Sequence, residues 1–140
     1  MAHYPQQEGL ACLRVRFRNP RELDEAVHDV VSGVAFVQQQ GSTEFGFVGH
    51  SFGGAVVISA AAQMPTARAV VTLATQSYGT EAVSILNRRC ATLVLHGTAD
   101  AILPVEASQS VYARAHQPKE LKWYQGAGMG WTKRLIMSIW

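Results

Sequence analysis

Apolar residues recur along this 140-residue chain with two alternating periods, and the alternation predicts its architecture. Between residues 20 and 39, Leu23, Ala26, Val27, Val30, Val31, Val34 and Val37 return at three- and four-residue steps, which lays one apolar stripe along a helix. Asn19 is placed to cap that helix, Pro20 suits its first turn, Glu22 stands three residues past the cap, and Gly41 lies just beyond its end. Short apolar runs at 44–49, 68–75, 91–96 and 120–125 read as strands, separated by helical runs at 51–63, near 80–88 and at 104–116. Val70-Val71-Thr72-Leu73 and Leu93-Val94-Leu95 are continuous apolar runs, as expected of strands covered on both faces. Residues 131–140 read as a last short helix. Strands alternating with helices predict an α/β fold with a mostly parallel sheet and helices on both of its faces. No linker, repeat or low-complexity tract interrupts the pattern, so residues 1–140 read as one domain.

One further strand is expected at 10–18, and it differs from the others. Leu13, Val15 and Phe17 alternate with Arg14, Arg16 and Arg18, so one side is apolar and the other cationic. A covered central strand does not carry an arginine ladder, and this one is therefore expected at an edge or with an open face. A basic stripe for an anionic ligand is the less economical reading.

Composition narrows the function classes. Charged residues make up 16% of the chain, below the roughly 25% of an average soluble domain, which favours self-association. A formal charge of +2 without a basic, aromatic-rich cluster argues against a nucleic-acid partner. Cys12 and Cys90 lie in apolar runs and are expected to be buried, reduced thiols. The first eight residues lack the apolar core of a signal peptide, and the longest apolar stretch, near 55–62, is too short to span a bilayer. The expectation is a soluble cytoplasmic protein without a membrane partner. Scattered histidines and two distant cysteines offer no metal-binding spacing, and no phosphate-cradling glycine loop is present. Neither a metal nor a cofactor is called for.

The most informative segment is Gly49-His50-Ser51-Phe52-Gly53-Gly54. It follows the apolar run Phe45-Gly46-Phe47-Val48 and precedes the small-residue run 55–62. G-x-S-x-G between a strand and a helix is a nucleophile elbow, a tight turn that lifts the serine above the sheet end, with glycines where side chains would collide. Ser51 then sits at a helix N-terminus, where backbone N–H groups and the dipole favour developing negative charge.

Together with this elbow, Leu93-Val94-Leu95-His96-Gly97-Thr98-Ala99-Asp100, followed by Ile102-Leu103-Pro104, and Tyr124-Gln125-Gly126-Ala127-Gly128 make the chain resemble the α/β-hydrolase superfamily, particularly its small esterase and dienelactone-hydrolase-like members. The resemblance runs from about residue 10 to residue 131. It implies Ser51 as nucleophile, Asp100 as the acid that orients a base, and the Phe52 backbone N–H as an oxyanion donor. It also implies a truncated α/β-hydrolase fold without a lid domain, since only a short helix follows Thr75-Gln76-Ser77-Tyr78-Gly79-Thr80. The pocket is then shallow and suits a small ester substrate; Gln76 and Tyr78 either line it or belong to an ordinary turn.

Two departures stand out. The family places its histidine directly after Gly-Ala-Gly, where this chain has Met129, and a methionine cannot accept the serine proton. The family also has several strands before residue 10, one followed by a loop that gives the second oxyanion N–H. Here the turn at Asn19-Pro20-Arg21 stands in that region, and Pro20 has no N–H. Of the other histidines, His96 is expected about 10 Å from the elbow at ~4.8 Å per strand. His3, on the N-terminal arm, could serve a neighbouring subunit's site. His28 is expected to be solvated, His116 to lie on a helix away from the strand ends, and His50 to pack.

The leading expectation is a serine hydrolase of small carboxylic esters that works through an acyl-enzyme on Ser51. The alternative is a catalytically impaired α/β-hydrolase-like scaffold or interaction module, to which Met129 points. In either case a homo-oligomer could complete the shortened sheet.

Overall fold

The computed structural model describes residues 9–131 and Arg134. His3 lies outside the described residues, as does most of the helix expected at 131–140. Four strands, β1 (Phe45–His50), β2 (Ala67–Leu73), β3 (Ala91–Gly97) and β4 (Lys119–Tyr124), form one wholly parallel sheet in the order β1-β2-β3-β4. The helices α1 (Leu23–Gln39), α2 (Phe52–Ala62) and α3 (Val105–Arg114) alternate with them, and a 3-10 turn at Glu81–Ile85 replaces the short helix expected at 80–88. Each strand feeds a crossover to its immediate neighbour, the economical way to build a parallel sheet.

The core lies between the helices and one sheet face. Ala26, Val27, Val30 and Val34 of α1 meet the almost entirely buried α2, and Val56, Ile58 and Ala60 pack with Phe47, Val70 and Val94 of the sheet. The α2 run of alanine and valine allows this close approach on all sides. Val48, Val71 and Leu93 share one row on the other face, and Val48 is 53% exposed. Tyr124 points to that face, and the Trp131 ring lies against it with centroids 3.9 Å apart. The helical residues that begin at 129 therefore open on the second face.

Residues 10–18 are not a strand. The segment is extended and its alternation survives: Val15 and Phe17 pack on the core while Arg14, Arg16 and Arg18 are exposed. It lies outside the sheet, with Leu13 and Val15 against Gly33 of α1 and the Phe17 ring edge-on to Phe52 at 6.0 Å. Period-2 patterning chooses an extended backbone, but a strand also needs a neighbour to bond with, and the sheet edge is β1. Asp29 of α1 ties the segment down. Its carboxylate accepts the Arg18 backbone N–H at 2.9 Å and the Arg18 Nε–H at 2.6 Å.

Other local expectations also change. Asn19 does not cap α1, whose N-cap is Glu22; the Asn19 side chain accepts the Arg21 N–H at 3.3 Å in the preceding turn. Cys12 is exposed because its segment is unpaired, whereas Cys90 is buried and burial pushes its thiol pKa up. His28 and His116 are exposed.

The elbow glycines differ in their reasons. A Cβ on Gly49 would run into the Gly53 carbonyl, and one on Gly54 would strike Thr75, with the Thr75 Cβ at 2.8 Å. A Cβ on Gly53 would meet nothing within 4 Å, so the expected collision there does not exist. Gly53→Ala should raise stability by up to about 1 kcal/mol through helix propensity. Gly54→Ala should lower it by about 1–3 kcal/mol through overpacking. Denaturant melts of the two variants read the difference, and equal effects would contradict this packing.

The Asp29 tether makes a pH prediction. The Arg18 backbone N–H, followed by its guanidinium, holds the Asp29 carboxyl below its ordinary range against the opposing effect of burial. The folded pKa is lowered, so the tether contributes fully above the unfolded value of about 3.9 and is lost as pH falls through the folded value. The amide-proton NMR shift of Arg18 should titrate with a midpoint below 3.9 and lose that titration in Asp29→Asn. A midpoint at or above the ordinary value would remove the tether from the account.

Candidate functional site

All four strands point their C-terminal ends to the same edge of the sheet, and the residues singled out in the sequence gather there. Ser51 leaves β1 with φ 54° and ψ −121° and is the N-cap of α2. Its N–H donates to the Leu73 carbonyl at 2.9 Å, which continues the β1–β2 ladder by one step, and its carbonyl accepts the Gly54 N–H at 2.9 Å. Ala74, with φ 44°, repeats the device one strand over and donates to the Leu95 carbonyl at 2.8 Å. Among the described residues these two are the non-glycine residues with positive φ. Such backbone costs about 1–3 kcal/mol at each position and persists where surrounding bonds impose it.

Phe52 opens α2, so its N–H has no acceptor within the helix and faces outward at the positive end of the dipole. That is the geometry expected of an oxyanion donor. The turn at 19–21 contributes none: the Arg21 N–H is taken by Asn19, and Pro20 has none to give.

Asp100 stands beyond the end of β3. Its Oδ1 accepts the N–H groups of Ile102 and Leu103, both at 2.9 Å, so the carboxylate is anchored as a turn former. Its Oδ2 is buried without a hydrogen-bond partner, and the side chain as a whole is 1% exposed. The turn-former role of this aspartate occupies Oδ1 alone and leaves Oδ2 over. A carboxylate oxygen left unbonded in the interior is expensive, and such costs concentrate where a site needs an acceptor.

His96 is not the base. It is fully buried, with Nε2 3.0 Å from the Leu103 carbonyl and Nδ1 2.6 Å from the Ser108 Oγ. In the neutral ring Nε2–H donates to Leu103 and Nδ1 accepts from Ser108, so neither nitrogen is left for Ser51. The side chain turns to the face covered by α3, and its Nε2 stays 3.7 Å from Asp100 Oδ2. His96 therefore braces the loop that carries Asp100. Ser108 was not among the residues picked out in the sequence, although a serine between the buried Ala107 and Val111 of an amphipathic helix is a readable signal.

The loop after β4 is locked to the loop after β3. Thr98 N–H donates to the Tyr124 carbonyl at 3.0 Å, Gly126 N–H to Thr98 Oγ1 at 2.9 Å, and Ala99 N–H to the Ala127 carbonyl at 3.0 Å. A Cβ on Gly97 would overlap that same Ala127 carbonyl. Met129 consequently follows a segment held alongside the Asp100 loop. Between β2 and β3 only the 3-10 turn intervenes, and among the described residues no inserted lid stands there. Gln76 donates its side-chain N–H to the Tyr78 carbonyl at 2.9 Å, and Tyr78 itself is 76% exposed. Among the described residues no cluster of metal-ligating side chains occurs, and no helix is long and apolar enough to cross a membrane.

Comparison with known proteins bears on this arrangement. Three solved structures show the same fold. An α-β serine hydrolase homologue from Coxiella burnetii is 20% identical, with a TM-score of 0.69, 94% of this chain covered and 62% of that one. Dienelactone hydrolase from Anabaena variabilis is 18% identical, with a TM-score of 0.69 and coverages of 84% and 59%. The esterase domain of a Rhodothermus marinus protein is 19% identical, with a TM-score of 0.63 and coverages of 74% and 58%. The chain thus spans about three fifths of the length of these structures. No curated protein matches the sequence. The family model of the dienelactone hydrolases matches residues 4–136, nearly the whole chain, and the protein belongs to the dienelactone hydrolase family of α/β hydrolases.

Proposed function

We propose that this protein hydrolyses small carboxylic esters through an acyl-enzyme on Ser51. The observation that carries the reading is the Ser51 backbone, held at φ 54° at the head of α2, with Asp100 Oδ2 buried and unbonded at the same sheet edge. The Ser51 hydroxyl attacks the ester carbonyl, and the Phe52 N–H with the helix dipole stabilises the oxyanion. The alcohol departs, and water releases the acid from the acyl-serine. The absence of a lid between β2 and β3 favours short acyl groups. Similarity to proteins described as a dienelactone hydrolase and an esterase domain supports the same class. The exposed Val48 on the edge strand β1 supports the accompanying proposal of a homo-oligomer.

Met129 favours a second reading, a scaffold with impaired chemistry, because methionine offers no nitrogen to take the serine proton. The two readings differ in rate. An elbow and oxyanion donor without a base retain about 10³–10⁴-fold over water. A positioned base adds about 10²–10⁴-fold.

Hydrolysis of p-nitrophenyl acetate and butyrate by the wild type, Ser51→Ala and Met129→His separates them. The hydrolase reading expects slow wild-type turnover that disappears in Ser51→Ala and rises by about 10²-fold or more in Met129→His. Equal rates for the wild type and Ser51→Ala, with no gain in Met129→His, would leave the scaffold reading alone standing.

A further inference from the structure

The second strained residue at the sheet edge has a task of its own. Ala74, at φ 44°, turns the chain out of β2 while its N–H stays on the Leu95 carbonyl at 2.8 Å. No glycine relieves this position, and backbone strain of this kind gathers where a function needs the geometry. What the turn sets is the direction of Thr75. Thr75 is fully buried and driven against the first turn of α2. A Cβ built on Gly54 would stand 2.8 Å from the Thr75 Cβ and nearer still to its Oγ1.

Thr75 is itself held. Its Oγ1 donates to the Gln76 carbonyl at 3.0 Å, and its branched Cβ restricts the side chain to few rotamers. The loop that follows is strapped to the helices around it. Further along α2, Ser59 Oγ donates to the Gly79 carbonyl at 3.3 Å. Gly79, at φ 76°, lies so close that a Cβ there would stand 2.7 Å from Leu23 Cδ2 of α1 and 3.5 Å from the Ala55 Cβ of α2. Thr80 Oγ1 donates to the Ser77 carbonyl and accepts from the Arg114 guanidinium of α3 at 2.8 Å. A connector pinned in this way to three helices is a rigid stop.

The stop bears on the part of α2 that governs Ser51. The Gly54 N–H donates to the Ser51 carbonyl at 2.9 Å, so a displacement of Gly54 turns the whole segment from Ser51 to Gly54, the Phe52 N–H included. We propose that Thr75 is a positioning residue for Ser51. Set by Ala74 and by the loop up to Thr80, it fixes the first turn of α2 and thereby the directions of the Ser51 hydroxyl and the Phe52 N–H. This rests on the ester-hydrolase reading of Ser51 and assigns Thr75 no contact with the ester. Once the contact is removed the first turn drifts, and a misplacement on the order of 1 Å costs up to about 10²-fold in rate.

The test follows inactivation by a fluorophosphonate, which separates binding (Ki) from bond formation at Ser51 (kinact), with a thermal melt of each variant. Thr75→Ala should lower kinact by about 10-fold with Ki unchanged, whereas Thr75→Ser, which keeps both atoms that face Gly54, should stay within about twofold of the wild type. Val111→Ala, which empties part of the core under α3, supplies a destabilised variant that should keep the wild-type kinact. The swap Gly54→Ala/Thr75→Gly carries one Cβ across the contact and should regain the kinact that Gly54→Ala loses, which reads the contact even where Thr75→Ala does not fold. A wild-type kinact in Thr75→Ala, a loss matched by Val111→Ala, or a swap that recovers the melting point without the rate would overturn the positioning role. In each of these cases a labelled wild type leaves the hydrolase reading standing, and a wild type that takes no label ends both.

Discussion

The backbone of Ser51 is the constraint on which the rest of the site depends. A residue with a side chain, turned to φ 54° and ψ −121°, stays there only because three elements leave it no alternative. The Leu73 carbonyl holds its N–H on the sheet side, the Gly54 N–H holds its carbonyl on the helix side, and Gly49 lets the backbone of Gly53 pass at contact distance. The buried α2, packed between α1 and the sheet, prevents the turn from relaxing by moving the helix. The cost of one strained residue is thus spread over a core of valines and alanines, and the return is a hydroxyl fixed at the positive end of a helix dipole.

The order of elements was legible in the residues because period and punctuation agree. Valine stripes at helical spacing, apolar runs of strand length and glycines at the turns place α1 to α3 and β1 to β4 within a few residues. What was not legible depends on partners. The alternation at 10–18 specifies an extended chain with Val15 and Phe17 turned inward, yet pairing belongs to two strands and cannot be read from one. The same gap hid the exposure of Cys12, since an apolar run buries its cysteine only when the run itself is covered. Asn19 fits a capping pattern but spends its side chain on the Arg21 N–H, which shows how local turns compete with caps.

At the site, the sequence marked Ser51, Phe52 and Asp100 by position, and the structure supplies what each is bonded to. Asp100 shows that a turn former can keep an acceptor in reserve, because a carboxylate has two oxygens and the turn uses one. His96 shows the reverse: a histidine next to a candidate acid is occupied on both nitrogens and serves as a brace. Family membership accounts for the fold, and the chain spans about three fifths of the length of the solved structures it resembles.

The claim most exposed to a single result is that the hydroxyl of Ser51 is chemically competent. Incubation of the wild-type protein with a fluorophosphonate, followed by intact-mass and peptide-level mass spectrometry, asks this without requiring turnover. The account predicts one phosphonyl adduct, on the peptide containing Ser51, and none in Ser51→Ala. A folded protein that stays unlabelled, or that carries its adduct on another residue, would contradict it.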